Sequence, residues 1–391
     1  MNNEKIRILH LASFNGNIGD NANHSGARSR LRRHFGHGVQ LEFTDLEIRH
    51  FYNVWNDRQF DESFLDLANT FDMLLVGGGN YFELWVENSR TGTTIDLPPA
   101  MLDRLRIPTV FYALGLDTCK GCSAVTLSRF KEFLDHVFCH ERFLVSVRND
   151  GSIETARHFL GEEYASRLYK VPDGGFFVEA DDSAHPEFIG YDKSIVLNLA
   201  GDMLERRFAS TGADTVTSDS FICSLAKLME RVLNKHKDLA LVLVPHIHRD
   251  IPIIGELMGQ MNDKLARSRV RIAPYLNGPG SERYIFDLYR KATVTLGNRF
   301  HANVCPIGLE VPSIGLVNYP KIQALYQDLN MPERAVDMLA SNCFDRIDAL
   351  LNETLEHPEP IRLRYRDLVR ELSLQLDVFQ TFLRDWFYRI R

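Results

Sequence analysis

Eleven short apolar runs recur along this chain, with helix-length amphipathic stretches between most of them. They are "IRILHLA" (6–12), "VQLEF" (39–43), "DMLLVGG" (72–78), "PTVFYALG" (108–115), "LVSVR" (144–148), "LYKVP" (168–172), "SIVLNLA" (194–200), "LALVLVP" (239–245), "RVRIAP" (269–274), "TVTLG" (293–297) and "VPSIGLV" (311–317). Several are continuously apolar, as parallel strands covered on both faces are. Repeated alternation of strand and helix predicts an α/β protein with parallel sheets and helices on both faces. The polar, acidic segment "VEADDSAHPEFIGYDK" (178–193) divides the runs into two series. The expectation is a pair of Rossmann-like domains, 1–180 and 190–350, with the linker between them.

A length of 391 residues suits two such domains. The net charge of -7 argues against a nucleic-acid surface. The start, "MNNEKIRILHLASFNG", reads as a first strand and not a signal peptide. No apolar run approaches the roughly 20 residues that span a bilayer. These features predict a cytoplasmic protein with its six cysteines reduced. "CKGC" (Cys119, Cys122) lacks a second CxxC and is read as incidental. Residues 365, 368, 369, 372, 376, 379, 383, 386 and 390 repeat at helical spacing, so 360–391 is predicted to be an amphipathic helix docking back on the body. A dimer contact, or a contact with the inner face of a membrane through Arg384, Arg389 and Arg391, is the alternative use of that helix.

Ligands of open parallel sheets bind beyond the carboxyl ends of the strands, so the residues after each strand are the candidates. After the first strand, "SFNGNIGDNANHSGAR" lacks the dinucleotide fingerprint GxGxxG. Its Gly16 and Gly19 allow a tight turn, and Asp20 suits a sugar hydroxyl or a helix cap. After the third, "VGGGNYFE" offers Gly77, Gly78, Gly79 and Asn80 as a loop whose N–H groups could cradle an anion or sugar. Arg148 ends another strand, where it could fork onto an anion or pair with Asp150 or Asp173. In the second series, His246 and His248 would share one face if their strand continued, and are read as lining a polar cleft; no metal site is assigned. Arg299, His301 and Lys321 leave neighbouring elements and combine two fixed cations with a titratable imidazole, which fits an anionic substrate and proton transfer. Pro306 argues against a long helix after them.

Taken in order, "NGNIGDNA", "LLVGGGN", "SVRNDGS", "VPDGGF", "NRFHANV" and "VNYPK" resemble the motif series of the polysaccharide pyruvyl transferase family, from about residue 10 to about residue 325. "PDGGF", where the family commonly has a proline after the aspartate, and "NVCPIG", where it usually has alanine and leucine, are departures. The resemblance implies a GT-B-like arrangement with the active site in the interdomain cleft. It implies transfer of pyruvate from phosphoenolpyruvate to two hydroxyls of a sugar in a polysaccharide or glycan precursor, such as an exopolysaccharide or lipid-linked acceptor, with release of phosphate and no other cofactor. His301, Arg299 and Asp20 are then the catalytic candidates. Arg148, Lys321, Asn17, Gly77–Gly79, Asn80, His246 and His248 are the binding candidates. Acceptor choice is assigned to "ELWVENSRTGTT" (83–94), where Trp85 and Tyr81 could stack on a sugar. A nucleotide-sugar-dependent glycosyltransferase is the alternative reading, and a non-catalytic relative that binds an anion or glycan is a third.

Overall fold

The computed structural model describes residues 4–36, 38–52, 55–208 and 216–391. The chain divides into two compact units. The first comprises Met1–Phe14, Ala27–Gly174 and Glu371–Arg391; the second comprises Asn15–Gly26 and Gly175–Arg370. Both are α/β with parallel sheets, as the apolar runs predict.

In the first unit the strands are β1 (Glu4–Ala12), β2 (Val39–Glu47), β3 (Met73–Gly77), β4 (Phe82–Glu83), β5 (Thr109–Leu114), β6 (Leu116–Asp117), β7 (Phe143–Arg148) and β8 (Tyr169–Val171). The main sheet runs β2-β1-β3-β5-β7-β8, and β4 pairs with β6. Every ladder is parallel. β3 and β5 are buried along their whole length, which is why they carry no polar alternation. The Ala124–Cys139 helix begins at a Ser123/Thr126 capping box and buries Thr126, Phe130, Phe133, Leu134 and Val137, one stripe of a 3.6-residue period. Its phenylalanines meet those of the strands: ring centroids lie 4.9 Å apart for Phe82 and Phe130, and 5.3 Å for Phe111 and Phe133.

The second unit holds β9 (Lys193–Asn198), β10 (Leu239–Leu243), β11 (Val270–Ile272), β12 (Val294–Gly297), β13 (Ser313–Val317) and β14 (Ala335–Asp337), in the order β11-β10-β9-β12-β13-β14, again all parallel. The order reverses at β9/β12, the switch point at which such sheets open a crevice. Three-residue β14 has no apolar run long enough to stand out in sequence, and neither of the two-residue strands β4 and β6 does.

The Glu359–Ile390 helix contributes to both units. Leu372, Leu376, Phe379, Leu383, Trp386 and Phe387 are buried within the first, and the Trp386 indole donates to the Glu141 carbonyl at 2.7 Å. Tyr365 is buried within the second, beside Ser313. Among the described residues no helix is long and apolar enough to cross a membrane.

Candidate active site

The sheet order of the second unit sets four strand ends side by side. Asn198–Asp202 follow β9, His246–Asp250 follow β10, Asn298–His301 follow β12, and Asn318–Lys321 follow β13. Two asparagines tie these ends together. Asn198 donates to the Val244 carbonyl (2.9 Å) and accepts from the Arg299 N–H (3.1 Å). Asn298 accepts from the Ala200 N–H (3.0 Å) and donates to the Leu316 carbonyl (2.9 Å) and the Asn318 Oδ1 (2.8 Å). Both are fully or almost fully buried. Sequence reasoning passed over them, although an asparagine closing an otherwise apolar run is a visible signal.

Arg299 is the centre of this edge. Its Nε donates to Asp250 Oδ2 at 2.8 Å, and its Nη2 reaches Asp250 Oδ1 at 2.5 Å and Asp202 Oδ1 at 2.8 Å. Asp250 also accepts from the backbone N–H of Gly201, His246 and Ile247, so one ion pair fixes three loops. Burial pushes the Asp250 and Asp202 carboxyls up, but Arg299 beside them outweighs it and holds both below the ordinary value. Arg207, which the sequence reading missed, joins through the Asp202 carbonyl (2.9 Å) and Asn318 Oδ1 (3.0 Å). Two arginines against two aspartates leave this quartet neutral. Any net attraction for an anion here comes from what surrounds it: Lys321, and the amino ends of the Asp250–Gln260, His301–Gly308 and Pro320–Asp328 helices, each starting just beyond a strand end.

His301 opens the His301–Gly308 helix and is largely buried. Its Nδ1 lies 4.0 Å from Asp20 Oδ1. Gly19 packs against the ring so closely that a Cβ there would sit 2.6 Å from the His301 Cβ. Asp20 stands in the first turn of the Ile18–Phe35 helix but does not cap it; Asn17 does, accepting from the Gly19 N–H at 3.0 Å. Gly297 ends β12, and a Cβ on it would lie 2.6 Å from the Ala302 carbonyl oxygen. Pro306, inside this helix, supplies no N–H for that carbonyl, so proline and glycine together bring the helix start tight against its strand. The helix is short, as the proline implied.

The histidines after β10 do not share a face. The strand stops at Leu243 and the chain turns, leaving His246 buried and His248 exposed. His246 Nε2 lies 2.8 Å from the Tyr289 hydroxyl. Burial raises the Tyr289 pKa far above its ordinary value, so the phenol stays protonated beside the imidazole. Burial, helped by Arg299 and His301 against the pull of Asp250, lowers the His246 pKa to about 3. His246 is therefore neutral near pH 7. Lys321 is buried in the first turn of its helix.

The first unit carries the remaining candidates. Arg148 does not choose between the two aspartates offered by the sequence: its Nε donates to Asp150 at 2.6 Å and its Nη1 to Asp173 at 3.4 Å, all three buried. Each glycine after β3 has a packing reason. A Cβ on Gly77 would strike the Tyr112 carbonyl at 2.2 Å, Gly78 has φ +81°, and a Cβ on Gly79 would strike the Tyr81 ring at 2.2 Å. Asn80 donates to Asp117 at 2.8 Å. Tyr81 is buried and its hydroxyl accepts from the Ser13 N–H at 2.7 Å, so it packs the wall and offers no ring to a ligand. The 83–94 loop does line a cavity of about 650 Å³ with Tyr52, Trp85, Glu83, Glu87, Asp96 and Lys120 among its walls. Lys120 lies over the Trp85 ring at 4.7 Å. Cys119 is exposed and Cys122 half-buried.

Two Rossmann-like units of this kind define a GT-B-like fold, and solved structures agree. The chain is similar to S. aureus MnaA solved with UDP (11% identity, 92% of this chain and 90% of that one, TM-score 0.52). It is similar to a UDP-forming α,α-trehalose-phosphate synthase from Burkholderia xenovorans (12% identity, 98% and 99%, TM-score 0.52). It is also similar to the N-terminal domain of Candida albicans trehalose-6-phosphate phosphatase (12% identity, 97% and 96%, TM-score 0.51). At such identities the likeness is one of fold alone. Within that fold the chain belongs to the polysaccharide pyruvyl transferase family, whose profile matches residues 17–319. No curated protein matches the chain significantly.

Proposed function

We propose that this protein transfers the pyruvyl group of phosphoenolpyruvate to two hydroxyls of a sugar in a polysaccharide or glycan precursor, forming a cyclic ketal and releasing phosphate. The observation that carries the reading, within the family assignment, is His301 at a strand end of the second unit, packed against Gly19 with Asp20 4.0 Å from its Nδ1, among helix amino termini. Phosphoenolpyruvate places a carboxylate and a phosphate on one small enol. Helix amino ends and Lys321 supply donors for both. His301 delivers a proton to the methylene carbon, which becomes the methyl group. A sugar hydroxyl adds to the electron-poor C2 and passes its proton to the imidazole, restoring His301. The C2–O bond to phosphate breaks with its electron pair going to phosphate, and a second hydroxyl adds to C2 and closes the ketal, its proton passing to the released phosphate. Preorganised positive dipoles lower the cost of the departing phosphate's charge. Arg299 acts here chiefly by holding Asp250 and three loops in register.

The 83–94 cavity suits the acceptor. Three carboxylates and one ammonium around aromatic walls disfavour a phosphate and favour neutral hydroxyls stacked on Trp85. The test is phosphate release from phosphoenolpyruvate across a panel of sugars and lipid-linked glycans. Release with at least one acceptor, abolished in His301→Ala, is expected. Release of UDP from a UDP-sugar with none from phosphoenolpyruvate would replace this reading with glycosyl transfer.

A further inference from the structure

The opposite edge of the first unit's sheet carries a second constellation. The Ala124–Cys139 helix runs into β7 and the Pro99–Leu102 helix into β5, so the ends of both helices lie toward the amino ends of those strands. Chemistry in α/β sheets sits at the carboxyl ends. At this amino edge His136, His140 and Asp103 bring one ligand atom each to within 4.8 Å of one another. His136 Nε2 is 3.1 Å and His140 Nε2 is 3.9 Å from Asp103 Oδ1. The two imidazoles stand one helical turn apart, with ring centroids at 4.3 Å and planes 33° apart.

We propose that His136, His140 and Asp103 form a binding site for a divalent transition metal, zinc in particular, separate from the pyruvyl-transfer site. Geometry argues for it in three ways. His136 stands in the last turn of the helix and His140 at its C-cap, and their rings lie side by side, as a chelating pair needs. His140 Nδ1 donates to the His136 carbonyl at 2.8 Å, which leaves Nε2 with its lone pair toward Asp103. That backbone hydrogen bond is the orientation seen behind metal-bound imidazoles. Among the described residues His136 Nε2 is a buried nitrogen with no hydrogen bond of good geometry, despite its nearness to Asp103. A tetrahedral ion with ligands at about 2 Å needs donor atoms about 3.3 Å apart, so small side-chain rotations complete three positions and leave one for water. Two imidazoles and one carboxylate suit zinc, and not magnesium.

A charge opposes the site. Arg142 Nη2 lies 3.9 Å from Asp103 Oδ1 and donates to the Asp103 carbonyl at 3.4 Å. A bound cation has to share that carboxylate, so the affinity is moderate. The consequence of binding is a clamp between the segments that feed β5 and β7, two neighbouring strands.

The experiment is calorimetric titration of chelator-treated full-length protein with zinc chloride at neutral pH, with melting temperature as a second readout. One zinc per chain, a higher melting temperature and no response to magnesium are expected. His140→Ala and His136→Gln should each weaken binding by about tenfold or more, since even an outer-sphere partner is worth that much. Cys119→Ser/Cys122→Ser should leave it unchanged. Absence of zinc binding, undiminished binding in both histidine variants, or loss of binding in the double cysteine variant overturns the site. Phosphate release from phosphoenolpyruvate does not enter these readouts, so the site and the proposed activity fail or stand separately.

Discussion

Lowering the pH from 8 to 5 should cost the second unit stability through His246 alone. In the folded chain its pKa is lowered, chiefly by burial, to about 3. In the unfolded chain it returns to about 6.5. Between these values the unfolded state binds more protons, so stability is full above pH 6.5 and drains away as the pH falls toward 3. At pH 5 the unfolded imidazole is almost fully protonated and the folded one is not, which amounts to about 2 kcal/mol. Asp202 and Asp250, both lowered below the ordinary carboxylate value, titrate beneath this window and do not contribute to it. The assay is urea unfolding of wild type and His246→Gln at a series of pH values from 8 to 5. Trp55, Trp85 and Trp386 all belong to the first unit, so far-ultraviolet circular dichroism, which reads the helices of both units, is the probe. Glutamine does not titrate, and every other group is shared. The gap between the two proteins should therefore narrow by about 2 kcal/mol on going from pH 8 to pH 5. Parallel curves would refute the argument that His246 is locked neutral by its surroundings.

His301→Ala should keep its melting temperature within a few degrees yet lose phosphate release by about 10²–10⁴-fold, the usual worth of a positioned acid or base; activity near wild type would remove it from the mechanism. Arg299→Met leaves buried Asp250 without its cation and Asp202 with Arg207 alone, and should cost about 3–5 kcal/mol in urea unfolding. Adding Asp250→Asn to that variant should recover part of the loss, and a null effect of Arg299→Met would show the quartet to be dispensable. Gly19→Ala forces a Cβ to within 2.6 Å of the His301 side chain. It should cost about 1–3 kcal/mol and lower turnover by displacing His301, whereas unchanged kinetics would mean that the contact does not position the imidazole.

All eleven apolar runs are strands of the two sheets, and those buried along their whole length, such as β3, β5 and β10, leave an uninterrupted signature. β14 is interrupted by charge on both sides, at Arg334 and Asp337, and did not stand out. Arg299 and His301 were legible as strand-end residues. The partners that decide what Arg299 does were not. Asp202 and Asp250 lie 97 and 49 residues away from it, and only the strand order makes them neighbours. The same is true of Arg148 and Asp173, which are 25 residues apart. Charge patterns show where cations are, but not whether carboxylates elsewhere neutralise them. The packing of Gly77 against the Tyr112 carbonyl was not legible, because the strand that brings Tyr112 there lies 35 residues further along the chain. His246 and His248 were read as one face only on the assumption that β10 continues; it ends three residues earlier. The zinc-site histidines were overlooked because the spacing HxxxH means little until a third donor from a distant helix end is seen beside it.

The interleaving of the chain between its units bears on how it can be made. Asn15–Gly26 belong to the second unit, and Glu371–Arg391 to the first. During synthesis the second unit thus has its earliest piece in hand when Arg370 emerges, while the first must wait, with the surface that receives Leu376, Phe379, Leu383 and Trp386 open to water, until residues beyond it are translated. Cutting the gene at the Gly174–Gly175 boundary would give two fragments that each lack a part of their own core, so neither half should survive expression alone.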